Sequence, residues 1–434
     1  MSCIGHCSTP VSDRHCAPDA AAQAGLAHVA TASFLASRIV PTGGYAVALA
    51  GGVALARAAQ LGGMRMGYGA SIAAMLQSIA VLGPSRISIP LTQAASAPLL
   101  GRLHLRRAHV AMQIGACAAI RATDQTLFTL FYIWIVGGVD AYAATYDALV
   151  GRIPGAPDGI AAALGATALA LALWTACASV VQVLTYRAAL RAWPAAPPDG
   201  AVRAAAPGAR APHDDAAAAA AARPPHPRYD PRAIALAAIL AFGVLLATTD
   251  PIVLGAVSVW LAVAWLTAGA DSAPVRSGLG LAALLGGGAL VFGLIGAVPL
   301  ELTLQRALRA VLLVLVATWL RAAAGERGVR EIARRSLRRV RRAPAMAEAA
   351  HVLDRLGAGG ALGASGRALV EHVRGVRRRP GALARAVLAW IVAEADRFDA
   401  PPRAADPQVL RAGWSDRALV AALIAVVTGA VLVQ

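Results

Sequence analysis

The sequence contains no lysine, and charged residues of all kinds make up only 15% of its 434 residues. A soluble protein usually carries about 25% charged residues. Hydrophobic residues account for 58% of the chain, and its mean hydropathy is +0.61. This composition excludes an ordinary soluble domain and predicts an all-α, polytopic integral membrane protein.

Because lysine is absent, arginine alone carries the formal net charge of +17. Arginine without lysine, beside abundant alanine, indicates GC-rich coding rather than a functional choice. The arginines flank apolar segments, as they do in the cytoplasmic loops of membrane proteins. We therefore predict no nucleic-acid partner, and a multi-pass protein of the plasma (inner) membrane with the lipid bilayer as its surroundings.

Sequence signatures of soluble active sites are missing as well. The chain has no Walker A loop and no HExxH, CxxC or GxSxG signature, so it lacks the residue patterns behind the commonest nucleotide, zinc and nucleophile chemistry. We predict that the protein is not an enzyme and needs no cofactor. A membrane-embedded enzyme that uses Asp124 or Asp140 is the least favoured alternative.

A spanning helix needs about 20 mostly apolar residues, or somewhat fewer when its ends are polar. The first half offers seven such segments, and Pro84, Pro90 and Pro98 interrupt the fourth. We predict a disordered tail over 1–24 and a membrane module of six or seven helices over 25–187. The segments are 25–40, 43–57, 67–82, 87–100, 108–120, 125–146 and 160–184.

Residues 188–231 are rich in proline, alanine and arginine without periodicity, which predicts a flexible cytoplasmic linker. The second module, 232–434, begins with four apolar segments at 233–248, 252–269, 278–298 and 304–320. A dense arginine run then opens a polar stretch of helical periodicity, 321–412, which we place in the cytoplasm. A last span is predicted at 418–433, for a total of about eleven or twelve spans.

The second half resembles a known family in its helix order and its turns. Asp230-Pro231-Arg232 precedes its first helix, and Thr248-Thr249-Asp250-Pro251 separates the first helix from the second. Four helices, cytoplasmic amphipathic helices and a closing helix follow the same order as in the transmembrane T component of energy-coupling-factor (ECF) transporters. The resemblance covers about 228–434 and implies the scaffold subunit of an ABC-type importer for a vitamin or a transition metal.

The resemblance also implies partners. In that family the cytoplasmic helices couple to separate ABC ATPase subunits, and short Ala-Arg-x motifs dock on them. Ala333-Arg334-Arg335 is the best match, and Arg385 belongs to a weaker one. A guanidinium can bind a partner carboxylate through two charge-assisted hydrogen bonds. The alternatives are chance triplets in an Ala- and Arg-rich chain, and arginines that bind anionic lipid headgroups.

The same resemblance suggests a role for the first half. One alternative is that the first half is a fused substrate-capturing module. The other is that a separate substrate-binding membrane subunit is a further partner of the protein. The alternative to transport is a membrane assembly or scaffold protein that recruits something other than an ATPase.

Polar residues at membrane depth usually face a cavity or a partner. Arg121 and Asp124 are three residues apart and can pair on one helical face, or they form an ion pair at the edge of a loop. Asp140 and Asp147 are seven apart and share a face if the helix continues, or they lie in water at the membrane interface. The residues of a predicted substrate cavity are Gln77, Arg86, Gln93, Arg121, Asp124, Asp140 and Asp147.

The first sixteen residues carry five side chains that suit soft metal ions. Their spacing does not match a structural zinc site, which usually pairs two couples of closely spaced ligands. A transient metal site and a disordered leader are both compatible with the pattern. The five residues are Cys3, His6, Cys7, His15 and Cys16.

Overall fold

The computed structural model is all-helical over the residues that it describes. These residues are 16–38, 44–83, 88–151, 153–155, 157–193, 229–268, 272–340, 342–357, 359–374, 380–398 and 413–432. In chain order the helices are α1 (Cys16–Ala36), α2 (Gly44–Leu82), α3 (Ser88–Leu105), α4 (Val110–Phe131, continued by a π-helical turn Tyr132–Gly137), α5 (Val139–Val150), α6 (Gly159–Ala192), α7 (Pro231–Ala247), α8 (Pro251–Ala268), α9 (Ser272–Ile295), α10 (Leu300–Arg339), α11 (Pro344–Arg355), α12 (Gly359–Arg374), α13 (Pro380–Arg397) and α14 (Trp414–Leu432).

The protein is a multi-pass membrane protein by the length and composition of its helices. Among the described residues, six helices (α2, α6, α8, α9, α10 and α14) are long and apolar enough to cross a bilayer. A seventh crossing is possible if α4 and α5, which meet at a bend of 99°, count as one broken span. This number is smaller than the eleven or twelve predicted, in part because α2 is counted once although it holds two of the predicted segments.

Helix α2 reverses direction at Gly63, where φ is 76° and ψ is −175°. A Cβ added to Gly67 would lie 2.9 Å from the Cα atom of Ala59, whereas eight residues of a straight helix extend about 12 Å. The chain therefore folds into a hairpin of two helical arms, one on each side of Gly63. These arms correspond to the separately predicted segments 43–57 and 67–82.

Pro90 and Pro98 do not break the fourth predicted segment, and Pro84 lies outside the described residues. Helix α3 runs unbroken from Ser88 to Leu105 with Pro98 inside it. A proline within a helix removes one backbone donor and disturbs the preceding carbonyls. The hydroxyl of Tyr68 donates to the carbonyl of Ala95 at 3.2 Å, so a neighbouring helix satisfies one carbonyl of the turn that the proline disturbs.

The fifth and sixth predicted segments divide differently in the structure. Helix α4 and its π-helical turn run from Val110 to Gly137 and join 108–120 to most of 125–146. Gly138 then adopts φ 88°, and the separate helix α5 begins at Val139. The bend therefore separates Asp140 and Asp147 from Arg121 and Asp124.

Buried apolar residues group into separate cores. The largest core joins α1, α2 and α3 to α11, α12 and α13, together with the near ends of α4, α6 and α10. A second core joins α7, α8, α14 and the middle of α10, and a small third one lies between α9, α10 and the π-helical turn. We call α1–α3 with α11–α13 the enclosed layer, and the remaining helices the lipid-facing layer.

The two layers differ in the apolar surface that they expose. Along its most apolar stretch, only 11% of α6 is buried, against 61% of α2. Helix α10, which contributes to the cores of both layers, is the exception in the lipid-facing layer at 72%. Among the described residues, α11–α13 expose no large hydrophobic side chain, and α1–α3 expose only Leu61, Leu91 and Leu105. Helix α6 alone exposes eight: Ile160, Leu164, Leu169, Leu173, Trp174, Val180, Val181 and Leu184.

Helix α1 is the centre of the enclosed layer, and the amphipathic helices surround it. Phe34 and Ala36 are 0% exposed. A Cβ on Gly366 of α12 would lie 3.5 Å from the Cβ of Ala36, and one on Gly25 would lie 2.7 Å from the carbonyl oxygen of Ala395 on α13. The polar stretch predicted at 321–412 therefore packs, in its described part, on the first half of the chain.

Aspartates fix the start of the second half. Asp230 accepts a hydrogen bond from the N–H of Arg232 at 2.8 Å, and Asp250 accepts one from that of Ile252 at 2.8 Å. A proline follows each aspartate at the first helical position, where its missing N–H costs nothing. Asp416 of α14 accepts from the backbone N–H of Asp230 at 2.6 Å, so the starts of α7 and α14 are joined.

Candidate functional site

A network of buried polar side chains connects α2, α3, α4 and α6 where the two layers meet. Arg121 is 3% exposed and donates to Gln182 at 2.5 Å and to the hydroxyl of Tyr45 at 3.0 Å. Gln182 donates to Ser96 at 2.7 Å. The guanidinium also lies over the Tyr45 ring, 5.5 Å from its centre. We call Tyr45, Gln93, Ser96, Arg121, Gln182 and Tyr186 the Arg121 network.

Tyr186 closes the network on the α2 side. Its hydroxyl donates to Gln93 at 2.6 Å, and a Cβ on Gly52 would lie 1.5 Å from that oxygen. Only glycine lets α2 approach the tyrosine so closely. Gly52 is therefore part of the site, although it contributes no side chain.

The charge of Arg121 has no acidic counterpart in the network. None of the ion pairs among the described residues involves Arg121. Its Nε and the Nε2 of Gln93 are buried, and neither has a hydrogen-bond partner within the described part of the chain. Buried donors without partners are costly, so these two nitrogens are the least satisfied groups of the network.

Asp124 lies next to the network but not in an ion pair with Arg121. It accepts from Thr92 at 2.6 Å and from Gln125 at 3.3 Å. Of the seven predicted cavity residues, the structure thus brings Gln93, Arg121 and Asp124 into one neighbourhood. Arg86 lies outside the described residues.

Gln77 belongs to a different place, the junction between α2, α10 and the α11–α12 turn. It donates to Glu326 at 3.0 Å and to the carbonyl of Gly357 at 3.3 Å. Glu326 also accepts from the N–H of Gly359 at 2.8 Å. One residue before it, Gly325 takes φ 68° and bends α10.

Asp140 and Asp147 serve structural roles at the far end of the lipid-facing layer. Asp140 pairs with Arg306 at 2.7 Å, and Asp147 accepts from the N–H of Gly159 at 2.8 Å. The first contact joins α5 to α10, and the second fixes the start of α6. The structure brings neither carboxylate to the Arg121 network.

The predicted docking residues have different surroundings. Arg334 makes two hydrogen bonds to Glu331, at 2.7 and 2.9 Å, and Arg335 contacts the same carboxylate at 2.5 Å. Ala333 is buried. Arg385 is exposed on α13. Of the predicted arginines, Arg385 is therefore the most open to a partner.

Four of the five predicted metal ligands, Cys3, His6, Cys7 and His15, lie outside the described residues. Cys16 is the first residue of α1. Within the described part of the chain, no group of three or more His, Cys, Asp or Glu side chains could hold a metal ion. The N-terminal metal site stays a prediction.

Sequence reasoning did not single out Tyr45, Ser96, Gln182 or Tyr186. A signal for Gln182 was present, because an amide within an apolar run of α6 is as unusual as Gln93 in α3. Tyr45 and Tyr186 carry no such signal, since tyrosine is common at membrane interfaces.

Compared with known proteins, the chain matches no family model, no curated protein and no solved structure.

Proposed function

We propose that the protein is the membrane scaffold of an energy-coupling-factor-type importer in the plasma membrane. In this proposal, separate ABC ATPase subunits dock on α11–α13, and the first half is the substrate-capturing module. The observation that carries the proposal is the packing of α11–α13 around α1. A coupling element must contact the element that it moves, and here both belong to one hydrophobic core.

Helix α10 gives this proposal its mechanical route. It is 40 residues long and contributes to the cores of both layers. Gly325 provides a bend with φ 68°, a conformation that favours glycine. Glu326 then binds both Gln77 of α2 and Gly359 of α12. A displacement of α11–α13 would reach the lipid-facing layer through this junction.

Arg385 is the docking residue that we favour. It is exposed, and alanines flank it on both sides, so a partner surface can approach closely. Arg334 is less suitable because Glu331 already binds one edge of its guanidinium through two hydrogen bonds. A partner carboxylate would have to displace that internal pair.

The Arg121 network bears on the class of cargo. A buried guanidinium without a described carboxylate partner repels a cation and attracts an anion or a neutral solute rich in acceptors. Within the proposal, this disfavours a transition metal ion and favours a small organic micronutrient. The N-terminal cysteines and histidines would then have no part in binding the cargo.

Purification of the tagged protein from its native membrane in mild detergent tests the proposal. We expect ABC ATPase subunits in the preparation, with ATP hydrolysis. Arg385→Glu should reduce their recovery about tenfold or more, because it replaces charge-assisted bonds by repulsion. The matched control is Arg367→Glu, which reverses an exposed charge on α12 and should change little.

Two outcomes would contradict the proposal. Purification without any nucleotide-binding subunit or ATP hydrolysis would favour an assembly protein. Equal losses with Arg385→Glu and Arg367→Glu would show general charge attraction rather than docking at one motif.

A further inference from the structure

A basic cleft lies where the first arm of α2, the end of α3 and the end of α6 meet. Its volume is about 380 Å³, within the range of small-molecule pockets, about 300 to 1,000 Å³. Its lining is Gln60, His104, Leu105, Arg107, Arg187 and Arg191. Three arginines, a histidine and an amide therefore converge on one concave surface.

Acidic residues are scarce around this cleft. Between Asp19 and Asp124 the sequence contains no aspartate or glutamate, and none occurs between Gly159 and Ala192. None of the ion pairs among the described residues involves Arg107, Arg187 or Arg191. The cleft is therefore positively charged, and its arginines have no acidic partner among the described residues.

Arg107 occupies a backbone position that usually belongs to glycine. Its φ is 54°, and its N–H and that of Ala108 bond back to the carbonyls of His104 and Leu103. This is the left-handed cap at the end of a helix, where glycine is usual. An L-residue in this left-handed conformation costs about 1 to 2 kcal/mol of conformational energy. The arginine at this position therefore requires an explanation.

The pKa of His104 reflects the positive charge of the cleft. Burial lowers the pKa of His104, and the nearby Arg187 and Arg191 lower it further. Its Nδ1 is buried and has no hydrogen-bond partner within the described part of the chain. The negative ends of the α3 and α6 dipoles offset part of this charge, but they do not account for a strained arginine in the turn between α3 and α4.

We propose that this cleft binds a phosphate group. The planar, fixed donors of arginine suit phosphate oxygens, and several of them can bind one phosphate together. The cleft lies at the end of α6 that leads into the arginine-rich linker, the predicted cytoplasmic side, where basic pockets bind anionic lipid headgroups. The phosphate can therefore belong to a lipid or to a soluble molecule.

An apolar groove nearby gives the lipid source a place for its chain. The groove, of about 640 Å³, lies between α4 and α6 and is lined by Ala118, Leu171 and Ala176 among others. Ala176 precedes Arg187 by eleven residues, about 16 Å along the helix. An acyl chain of ordinary length could cover that distance from the cleft.

Two binding experiments on the isolated protein distinguish the sources. Native mass spectrometry in detergent would compare retention of phosphatidylglycerol with that of phosphatidylcholine. Calorimetry in phosphatidylcholine nanodiscs would measure binding of inorganic phosphate. Both lipids carry a phosphate, but choline neutralises that of phosphatidylcholine. Preferential retention of phosphatidylglycerol therefore identifies an anionic lipid phosphate, and calorimetric binding identifies a soluble one.

Variants of two adjacent arginines make the test specific. Arg107→Gln should weaken the observed binding about tenfold, the usual effect of losing a hydrogen bond to a charged group. Arg106→Gln is the matched control, because Arg106 is exposed but does not line the cleft. Arg107→Gly should bind as weakly as Arg107→Gln, yet unfold at a higher temperature than the wild type because it relieves the left-handed backbone.

The inference is wrong if neither probe binds, or if Arg107→Gln and Arg106→Gln bind equally. No ATPase subunit is present in these experiments. A negative result in these experiments would therefore leave the proposed importer function untouched. Absence of ATPase subunits from the purified protein would likewise leave the proposed phosphate site untouched.

Discussion

The enclosed layer and the lipid-facing layer use similar apolar helices in different surroundings. From Gln23 to Ala36, helix α1 is covered on all sides by protein, whereas α6 leaves most of its apolar surface exposed. The first needs close contacts between small side chains, and the second only needs an apolar surface that lipid can cover. The same kind of substitution should therefore have very different effects in the two layers.

Glycine-to-alanine substitutions should show the largest difference. Gly52→Ala places a Cβ 1.5 Å from the Tyr186 hydroxyl, and overpacking of a core costs about 1 to 3 kcal/mol or more. Gly165→Ala on α6 has nothing within 4 Å of its new Cβ and should stabilise the helix by about 0.5 to 1 kcal/mol. Thermal unfolding in detergent measures both, and equal shifts would contradict the two-layer description.

Arginine-to-methionine substitutions extend the comparison to charges. Arg121→Met leaves Gln182 without its donor inside the Arg121 network, a loss of about 2 to 3 kcal/mol. Arg306→Met breaks the pair with Asp140, whose side chain is 57% exposed, so that solvent reduces the loss to below about 1 kcal/mol. A greater loss of stability in Arg306→Met than in Arg121→Met, measured by chemical denaturation, would contradict this difference between buried and exposed charges.

A third comparison stays within the amphipathic region. Arg334→Ala removes two hydrogen bonds to Glu331 and should lower the free energy of unfolding by about 1 kcal/mol. Arg385→Ala removes an exposed side chain and should change stability by less than about 0.5 kcal/mol. Denaturant midpoints would measure both variants. A large loss of stability in Arg385→Ala would mean that its side chain is held within the protein rather than open to a partner.

The smallest expected effect depends on pH and concerns the contact between α1 and α13. The nearby imidazole of His28, 3.7 Å from the carboxylate of Glu394, holds the pKa of Glu394 below its ordinary value, with burial opposing and the hydrogen bond from Ser365 assisting. A carboxyl group whose pKa is lowered on folding stabilises the protein at pH values above its ordinary, unfolded-state pKa. That stability is lost as the pH falls through the folded-state pKa. The expected loss therefore begins below the ordinary carboxyl value of 4.5.

Glu394→Gln tests this pH dependence. Unfolding temperatures in nanodiscs should fall less steeply with acid for this variant than for the wild type. Glu371→Gln, which removes an exposed carboxylate from α12, serves as the control and should follow the wild type. A wild-type slope in Glu394→Gln would rule out this contact as the source.

Local sequence predicted the helices well where chain neighbours decide them. The Asp-Pro starts of α7 and α8 carry their own caps, and the apolar segments of the second half became α7–α10 in the predicted order. The hairpin of α2 was likewise present as two segments with glycines between them. These features depend on backbone chemistry within a few residues.

The enclosed layer could not be predicted in this way. A helix such as α1 looks the same in sequence whether lipid or protein covers it, because both require apolar residues all round. The cover comes from α12 and α13, more than 300 residues further along the chain. The Arg121 network is also non-local, since Gln182 and Tyr45 reach Arg121 from separate helices. Spacing along one helix suggested Asp124 as its partner instead.

The packing of α12 against α1 is the contact on which the coupling proposal depends, and a disulfide can test it. A Cβ on Gly366 would lie 3.5 Å from the Cβ of Ala36, within the range that a disulfide bridges, about 3.5 to 4.5 Å. The double variant Ala36→Cys with Gly366→Cys would be made after replacing the five native cysteines, with a protease site inserted within 194–228.

After mild oxidation and cleavage at that site, the two halves should stay linked on a non-reducing gel and separate when reduced. Ala36→Cys with Gly363→Cys is the control, because a Cβ on Gly363 has nothing within 4 Å. If the Gly366 pair separates as readily as the Gly363 pair, the amphipathic helices do not enclose α1, and both the two-layer fold and the coupling proposal are contradicted.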